Sequence, residues 1–293
     1  MLQFSSHAKA ALWMAGSIAS FLTMSVAGRV LTPHFGVFQI LEMRSVLGLV
    51  MLMPLVHAAG GLKAMRTSRP LPHIGRNLAH YTGQFAWFYA LPLVPLAELI
   101  SIEFTTPFIT AILAALFLGE RLSPAKVAAI LLGLAGVVVI VRPLGAAINE
   151  GHLVMLGGAF MFAISIVTVK ALTRTEGTVR IIFWMLIIQS LLGLVPAIQS
   201  WRTPAPELWP WIALVALTGT SSHLFLTKAL SHADTMFVMP IDFARVPLSA
   251  LIGWALYNEG IDIWVAAGAA LILFGNLLNL QRRTTRPLPP EHP

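Results

Sequence analysis

Of 293 residues, 57% are hydrophobic and only 11% charged, against roughly 25% charged in a soluble domain. A water-soluble protein so composed would expose large apolar patches and aggregate, so the chain is read as an integral membrane protein. The formal net charge of +7 lies in short segments between apolar runs, which argues against a nucleic-acid stripe, and the absence of cysteine excludes disulfides and thiolate metal sites.

A membrane-crossing helix takes about 20 mainly apolar residues, because ~30 Å of hydrocarbon is crossed at ~1.5 Å per residue. Ten runs meet that length, near 10–31, 36–57, 77–95, 98–118, 124–142, 152–172, 179–199, 208–229, 235–256 and 262–280. The first follows Lys9 and ends near the small residues SVAG, as a signal peptide would. It is longer than a typical ~7–15-residue h-region, so it is read as a retained helix. Only a short proline-containing turn within ALPLVPLAEL separates the third run from the fourth. The fourth carries Glu103 near its start, Pro107 within and Glu120-Arg121 at its end; the ninth carries Asp242, Pro247 and, after it, Glu259. The tail RRTTRPLPPEHP, 282–293, is Pro-rich and charged and is expected to be disordered.

Basic residues set the orientation. With a cytoplasmic N-terminus, that side receives fourteen of them, among them Lys63, Arg66, Arg69 and Arg76, while Arg29, Arg142 and Arg202 fall on the other. Arg44 and Arg245 remain within spans. The positive-inside rule then puts both termini on the cytoplasmic side.

The chain also repeats itself. A shift of 139 residues aligns Glu103-Phe104 with Asp242-Phe243, Glu120 with Glu259 and Gly136 with Gly275. A shift of 141 puts Gly16 on Gly157, Phe21 on Phe162 and Arg29 on Lys170, and a shift of 145 puts Leu47-Gly48-Leu49 on Leu192-Gly193-Leu194. The expected organisation is a first five-helix repeat over 1–142, a linker at 143–151, a second repeat over 152–281 and the tail. Five is odd, so the second half enters the membrane upside down relative to the first. Inverted repeats of this kind are an architecture of secondary transporters, whose substrate sites lie near the midplane between the halves.

The layout, with FTTPFITAILAALFLGERLSPAKVAAILLGLAGVVVIV closing the first half and MPIDFARVPLSALIGWALYNEGIDIWVAAGAALILFGNLL closing the second, resembles the EamA type of the drug/metabolite transporter superfamily. The second half departs from the pattern, with YNEG in place of LGE. The resemblance implies an all-α basket of ten helices around a central cavity and an activity in metabolite efflux. Length and layout are most similar to the YddG type of bacterial exporter of aromatic and other neutral amino acids.

Ionisable side chains inside spans are costly, ~2.5–3.5 kcal/mol each on insertion scales, and usually face a cavity or a partner. An outer pair, Arg44 with Glu103, and an inner pair, Asp242 with Arg245 at i,i+3 spacing, are expected to serve as gate latches or as static ion pairs. On the third span His80, Gln84 and Trp87 share a helical face, with Tyr81 and Phe88 beside it. His223 on the eighth span, Trp13 and Ser17 on the first, and Phe160 and Ser165 on the sixth complete an expected lining for a small neutral or amphipathic solute. Gly133, Ala135 and Gly136, with Gly268, Ala270 and Gly275, are assigned to close helix packing.

An enzyme is the alternative class. No H-E-x-x-H, G-x-S-x-G or G-x-x-x-x-G-K-[ST] occurs, which argues against a zinc protease, a serine hydrolase and a nucleotide-driven pump. A channel-like facilitator stays open. The reading is therefore a monomeric secondary exporter with a small-molecule substrate, no cofactor and no resident metal. Its coupling is either to a proton on His80, His223, Glu103 or Asp242, or absent.

Overall fold

The computed structural model describes residues 6–118, 124–141, 149–172, 175–232, 241–242, 244–260 and 262–281. The expected linker falls largely outside these residues, as do Glu120-Arg121 and the 282–293 tail. Among the described residues there is no strand. The first half holds α1 (Ser6–Leu31), α2 (Val37–Ala58), α3 (Pro70–Ala90), α4 (Leu96–Glu103), α5 (Thr106–Leu118) and α6 (Pro124–Val141). The second holds α7 (Glu150–Leu172), α8 (Thr178–Gln199), α9 (Trp209–His232), α10 (Arg245–Tyr257) and α11 (Ile263–Gln281).

By length and composition α1, α2, residues 150–169 of α7, and α8 suffice to cross a membrane. The other helices are shorter or more polar on one face. Large apolar side chains stand exposed around the outside, such as Leu131 on α6, Leu153 on α7, Leu191 and Val195 on α8 and Leu251 on α10. Water would not tolerate such a belt; hydrocarbon does.

The fourth expected span is not one continuous helix. Pro107 has no N–H to give to the carbonyl of Glu103, and its ring crowds that carbonyl. The chain turns instead: Thr105 donates its N–H to Ile102 O (3.0 Å), and Phe108 to Thr105 O (3.0 Å). Helix α4 thus ends at Glu103 and α5 starts at Thr106. In the second half α10 begins at Arg245, two residues before Pro247.

Packing runs between the halves. Helix α1 lies on α9, α3 on α7, α2 on α8, α6 on α11 and α4 on α10. The α6–α11 crossing brings backbones together: a Cβ on Gly136 would lie 2.6 Å from Gly268 O, and a Cβ on Gly268 would lie 2.6 Å from Gly136 O. Small residues permit this approach where hydrophobic drive between helices is weak.

Candidate functional site

A cavity of about 470 Å³ lies between the halves, with walls from α1, α2, α3, the α4–α5 break, α7, α9 and the start of α10. Most of its lining is apolar, with a few polar side chains converging on it, the usual make-up of a small-molecule site.

The first polar group stands between the α4–α5 break and the start of α10. Arg245 Nη1 donates to Glu103 Oε1 (3.1 Å) and Nη2 to Asp242 Oδ2 (2.7 Å). The Arg245 guanidinium also lies over the rings of Phe21 (4.4 Å) and Phe104 (4.7 Å). The second oxygen of Glu103 accepts the indole N–H of Trp87 at 3.0 Å. A carboxylate at the end of α4 and a guanidinium at the start of α10 each oppose their own helix dipole. Their mutual pairing offsets both.

This corrects the expected pairing. Glu103 joins Arg245 rather than Arg44, so one arginine serves both acids. The reason is the break at Thr105, which ends α4 beside the start of α10.

Arg44 and Arg76 form the second group. Both are buried and both line the cavity, and neither has a carboxylate partner among the described residues. Arg76 Nη1 donates to Asn77 Oδ1 (2.7 Å), while Nε of each arginine lacks a partner. Helix α9 makes room for Arg44 at Gly219, where a Cβ would lie 2.6 Å from Arg44 Nε.

His80 sits within electrostatic reach of both arginines and of His223, whose ring centroid lies 5.9 Å away. The Gln189 amide nitrogen donates to His80 Nδ1 (2.9 Å), so the neutral ring carries its proton on Nε2. Phe162 meets His80 edge-on at 5.5 Å, and Trp87 meets Phe21 at 5.5 Å and Phe88 at 5.1 Å, both edge-on. Ser17 donates to Ser222 O (2.9 Å), tying α1 to α9 across the lining.

Of the expected lining residues, His80, Gln84, Trp87, Phe88, Ser17, Ser165 and His223 face the cavity, as do Arg44, Glu103, Asp242 and Arg245. Trp13 packs on Phe225 at 5.5 Å, Tyr81 is turned to Phe38 and the Gly193 side of α8, and Phe160 is exposed on the outer surface. Sequence reasoning missed Arg76, which was counted as an orientation charge. Its position four residues before His80, on the same helical face, is the signal that could have found it. Gln189 was missed as well.

Polar clamps tie the ends of the bundle. Where α1 finishes, Arg29 pairs with Glu259, donates to Leu91 O (3.0 Å) and Val94 O (2.6 Å), and stacks on Tyr257 at 4.6 Å. Glu259 Oε2 also accepts the Leu96 N–H (2.9 Å), and His152 meets Glu98 at 2.9 Å nearby. At the opposite end, Thr67 Oγ1 donates to Glu176 Oε1 (2.6 Å) and Arg180 Nη1 to Glu176 Oε2 (2.8 Å). Burial pushes the Glu176 carboxyl up, but the Thr67 hydroxyl and Arg180 outweigh it and hold the carboxyl below its ordinary value.

Comparison with known proteins decides the class of this bundle. The EamA-like transporter family matches twice, over residues 8–142 and 149–281. The chain belongs to the EamA-like transporter family. Each EamA-like copy spans one half of the fold. A riboflavin transporter of Rhizobium johnstonii is 32% identical over 78% of this chain and 76% of its own. An S-adenosylmethionine uptake transporter of Rickettsia conorii is 26% identical over 89% of this chain and 88% of its own. The pseudopaline exporter CntI of Pseudomonas aeruginosa is 26% identical over 80% and 83%. A solved crystal structure, 23% identical, superposes with a TM-score of 0.67 over 94% of this chain and 99% of that one, which shows a shared fold. The EamA-like protein is thus a multi-pass membrane transporter of small metabolites, within the drug/metabolite transporter superfamily, and not an enzyme.

Proposed function

We propose that the protein is a secondary carrier that exports small metabolites bearing a flat aromatic ring, aromatic amino acids among them, by alternating access. The observation that carries this reading is the Glu103–Arg245–Asp242 cluster: residues of both halves meet where α4 breaks and α10 begins, on the wall of one cavity. Discontinuous helices near the midplane are where transporters of this architecture hold substrate and coupling ions. Riboflavin and S-adenosylmethionine, named for two relatives, both carry a heteroaromatic ring, and the Phe21, Trp87, Phe88 and Phe162 lining suits one.

The halves are related by inversion, and contact equivalence supports that relation. A Cβ on Gly48 would come within 2.9 Å of Thr220 Oγ1, and one on Gly193 within 2.6 Å of Tyr81 Oη. Gly48 maps to Gly193 by the 145 shift, and Tyr81 to Thr220 by the 139 shift. The Gln189–His80 contact likewise maps onto the Arg44–Gly219 contact. The helix pairing exchanges in the same way, α1 on α9 becoming α7 on α3.

Alternating access then loosens one end clamp while the other holds, with Arg29–Glu259 closing the outer end and Thr67–Glu176–Arg180 bracing the cytoplasmic one. The fourteen basic residues of the inner side support a plasma-membrane location with both termini cytoplasmic. Flux of labelled tryptophan and riboflavin from proteoliposomes tests the reading. Saturable flux of either, accelerated by unlabelled substrate on the far side, is expected; unsaturable flux means a pore, and flux no faster than from empty liposomes contradicts the carrier.

A further inference from the structure

The cavity wall carries three arginines and two acids, and the charges do not cancel locally. Both acids are taken by Arg245. Arg44, 3% exposed, and Arg76, 7% exposed, are left on the α2 and α3 side with no ion-pair partner among the described residues; Glu42, two residues before Arg44 on α2, is turned to α8, where it accepts the Ser190 hydroxyl (2.5 Å). A buried guanidinium without a counter-ion is strongly disfavoured, and one facing a cavity usually has a ligand or ion pathway to serve. The neighbouring polar groups are of the wrong kind to neutralise the positive charge: the Asn77 amide oxygen takes one Arg76 N–H, and His80 and His223 carry no negative charge. Helix α9 meanwhile keeps glycine at position 219, where any Cβ would displace Arg44. A fork of N–H donors presented this way matches an oxyanion, which it can bind through two parallel hydrogen bonds.

We infer that Arg44 and Arg76 bind an oxyanion of the transported solute, a carboxylate or a phosphate, while its aromatic ring lies among Phe21, Trp87 and Phe162. This rests on the carrier reading and narrows it: the substrate is an ionised or zwitterionic aromatic compound, not an uncharged one. The Glu103–Arg245–Asp242 cluster sets two carboxyl groups against one arginine on the same wall and suits an ammonium group on a zwitterionic solute.

Two matched pairs of probes test the inference on purified full-length protein, with binding read as thermal stabilisation. Tryptophan and tryptophanamide differ in the carboxylate, and flavin mononucleotide and riboflavin differ in the phosphate. At least one member that carries the oxyanion is expected to bind tenfold or more tighter than its partner that lacks it. Preference in the first pair identifies a carboxylate, and in the second a phosphate. Arg44→Gln and Arg76→Gln are each expected to cut that preference below threefold, with Arg44→Lys retaining part of it. A wild type with no preference in either pair, including one that binds none of the four, overturns the inference without need of a variant. So does a preference that survives unchanged in whichever arginine variants fold. If the anionic preference holds but reconstituted protein carries no flux, the oxyanion site stands and the carrier reading falls.

Discussion

At Arg245 a single guanidinium holds Glu103 and Asp242 and lies over two aromatic rings, so its removal leaves two carboxylates facing each other on the cavity wall. Breaking a buried ion pair from one side costs about 3–5 kcal/mol, because the remaining charge stays uncompensated. Arg245→Leu is therefore expected to destabilise the protein by about that much, and Glu103→Gln by clearly less, since the amide oxygen still accepts the Trp87 N–H and Arg245 keeps Asp242. Thermal unfolding of the two variants in detergent checks the order; equal losses would contradict it. The Asp242–Arg245 pair was legible from its i,i+3 spacing, although Asp242 stands ahead of α10 rather than on it, and the shared face of His80, Gln84 and Trp87 was legible from the helix period. What could not be read was which acid the second arginine faces. Arg44 and Glu103 lie at similar depth in sequence terms, but depth along a span does not say which way the side chain points across the bundle. Arg76 was hidden for a different reason: a basic residue near a span end looks like an orientation charge until the fold shows α3 running past it into the wall of the cavity.

Among the elements, the break between α4 and α5 stands where proline withholds a hydrogen bond from Glu103. Proline within the fourth span was visible in the sequence, but proline alone is compatible with a kink and with a full interruption. The interruption requires the turn bonds of Thr105 and Phe108 seen here. Pro107→Ala lets an N–H reach the Glu103 carbonyl, and is expected to straighten the segment and lower transport with little loss of thermal stability; unchanged flux would mean that the break does not matter to the transport cycle. Gly136→Leu would force the α6–α11 crossing apart. Overpacking of that kind costs typically about 1–3 kcal/mol, and a lower unfolding temperature checks it. The clamp at Glu176 adds a pH dependence. Its folded-state pKa lies below the ordinary 4.5, so the folded protein releases this proton more readily than the unfolded chain. Its stabilisation is complete above about pH 4.5 and is lost as the pH falls through the lowered value. The stability gap between wild type and Glu176→Gln is accordingly expected to shrink as the pH falls below 4.5, and a gap that widens there would contradict the sign.

For the whole molecule, the pairing of α1 with α9, α3 with α7, α2 with α8 and α6 with α11 builds one cavity from both halves. The repeat itself was legible because a few uncommon matches, the acidic-Phe pair and the terminal Glu, share one register. The cavity contents were less so, since Trp13, Tyr81 and Phe160 fit an amphipathic lining by residue type but are carried to other faces by helix rotation. Alternating access requires this cavity to open to each side of the membrane in turn. Ser165 is buried on its wall, and the chain has no cysteine, so Ser165→Cys introduces a single thiol. Labelling it with a membrane-impermeant thiol reagent in right-side-out and in inside-out vesicles is the most direct measurement. Labelling from both sides, slowed by transported solute, is the expected result; labelling from one side only, whatever solute is present, would contradict alternating access.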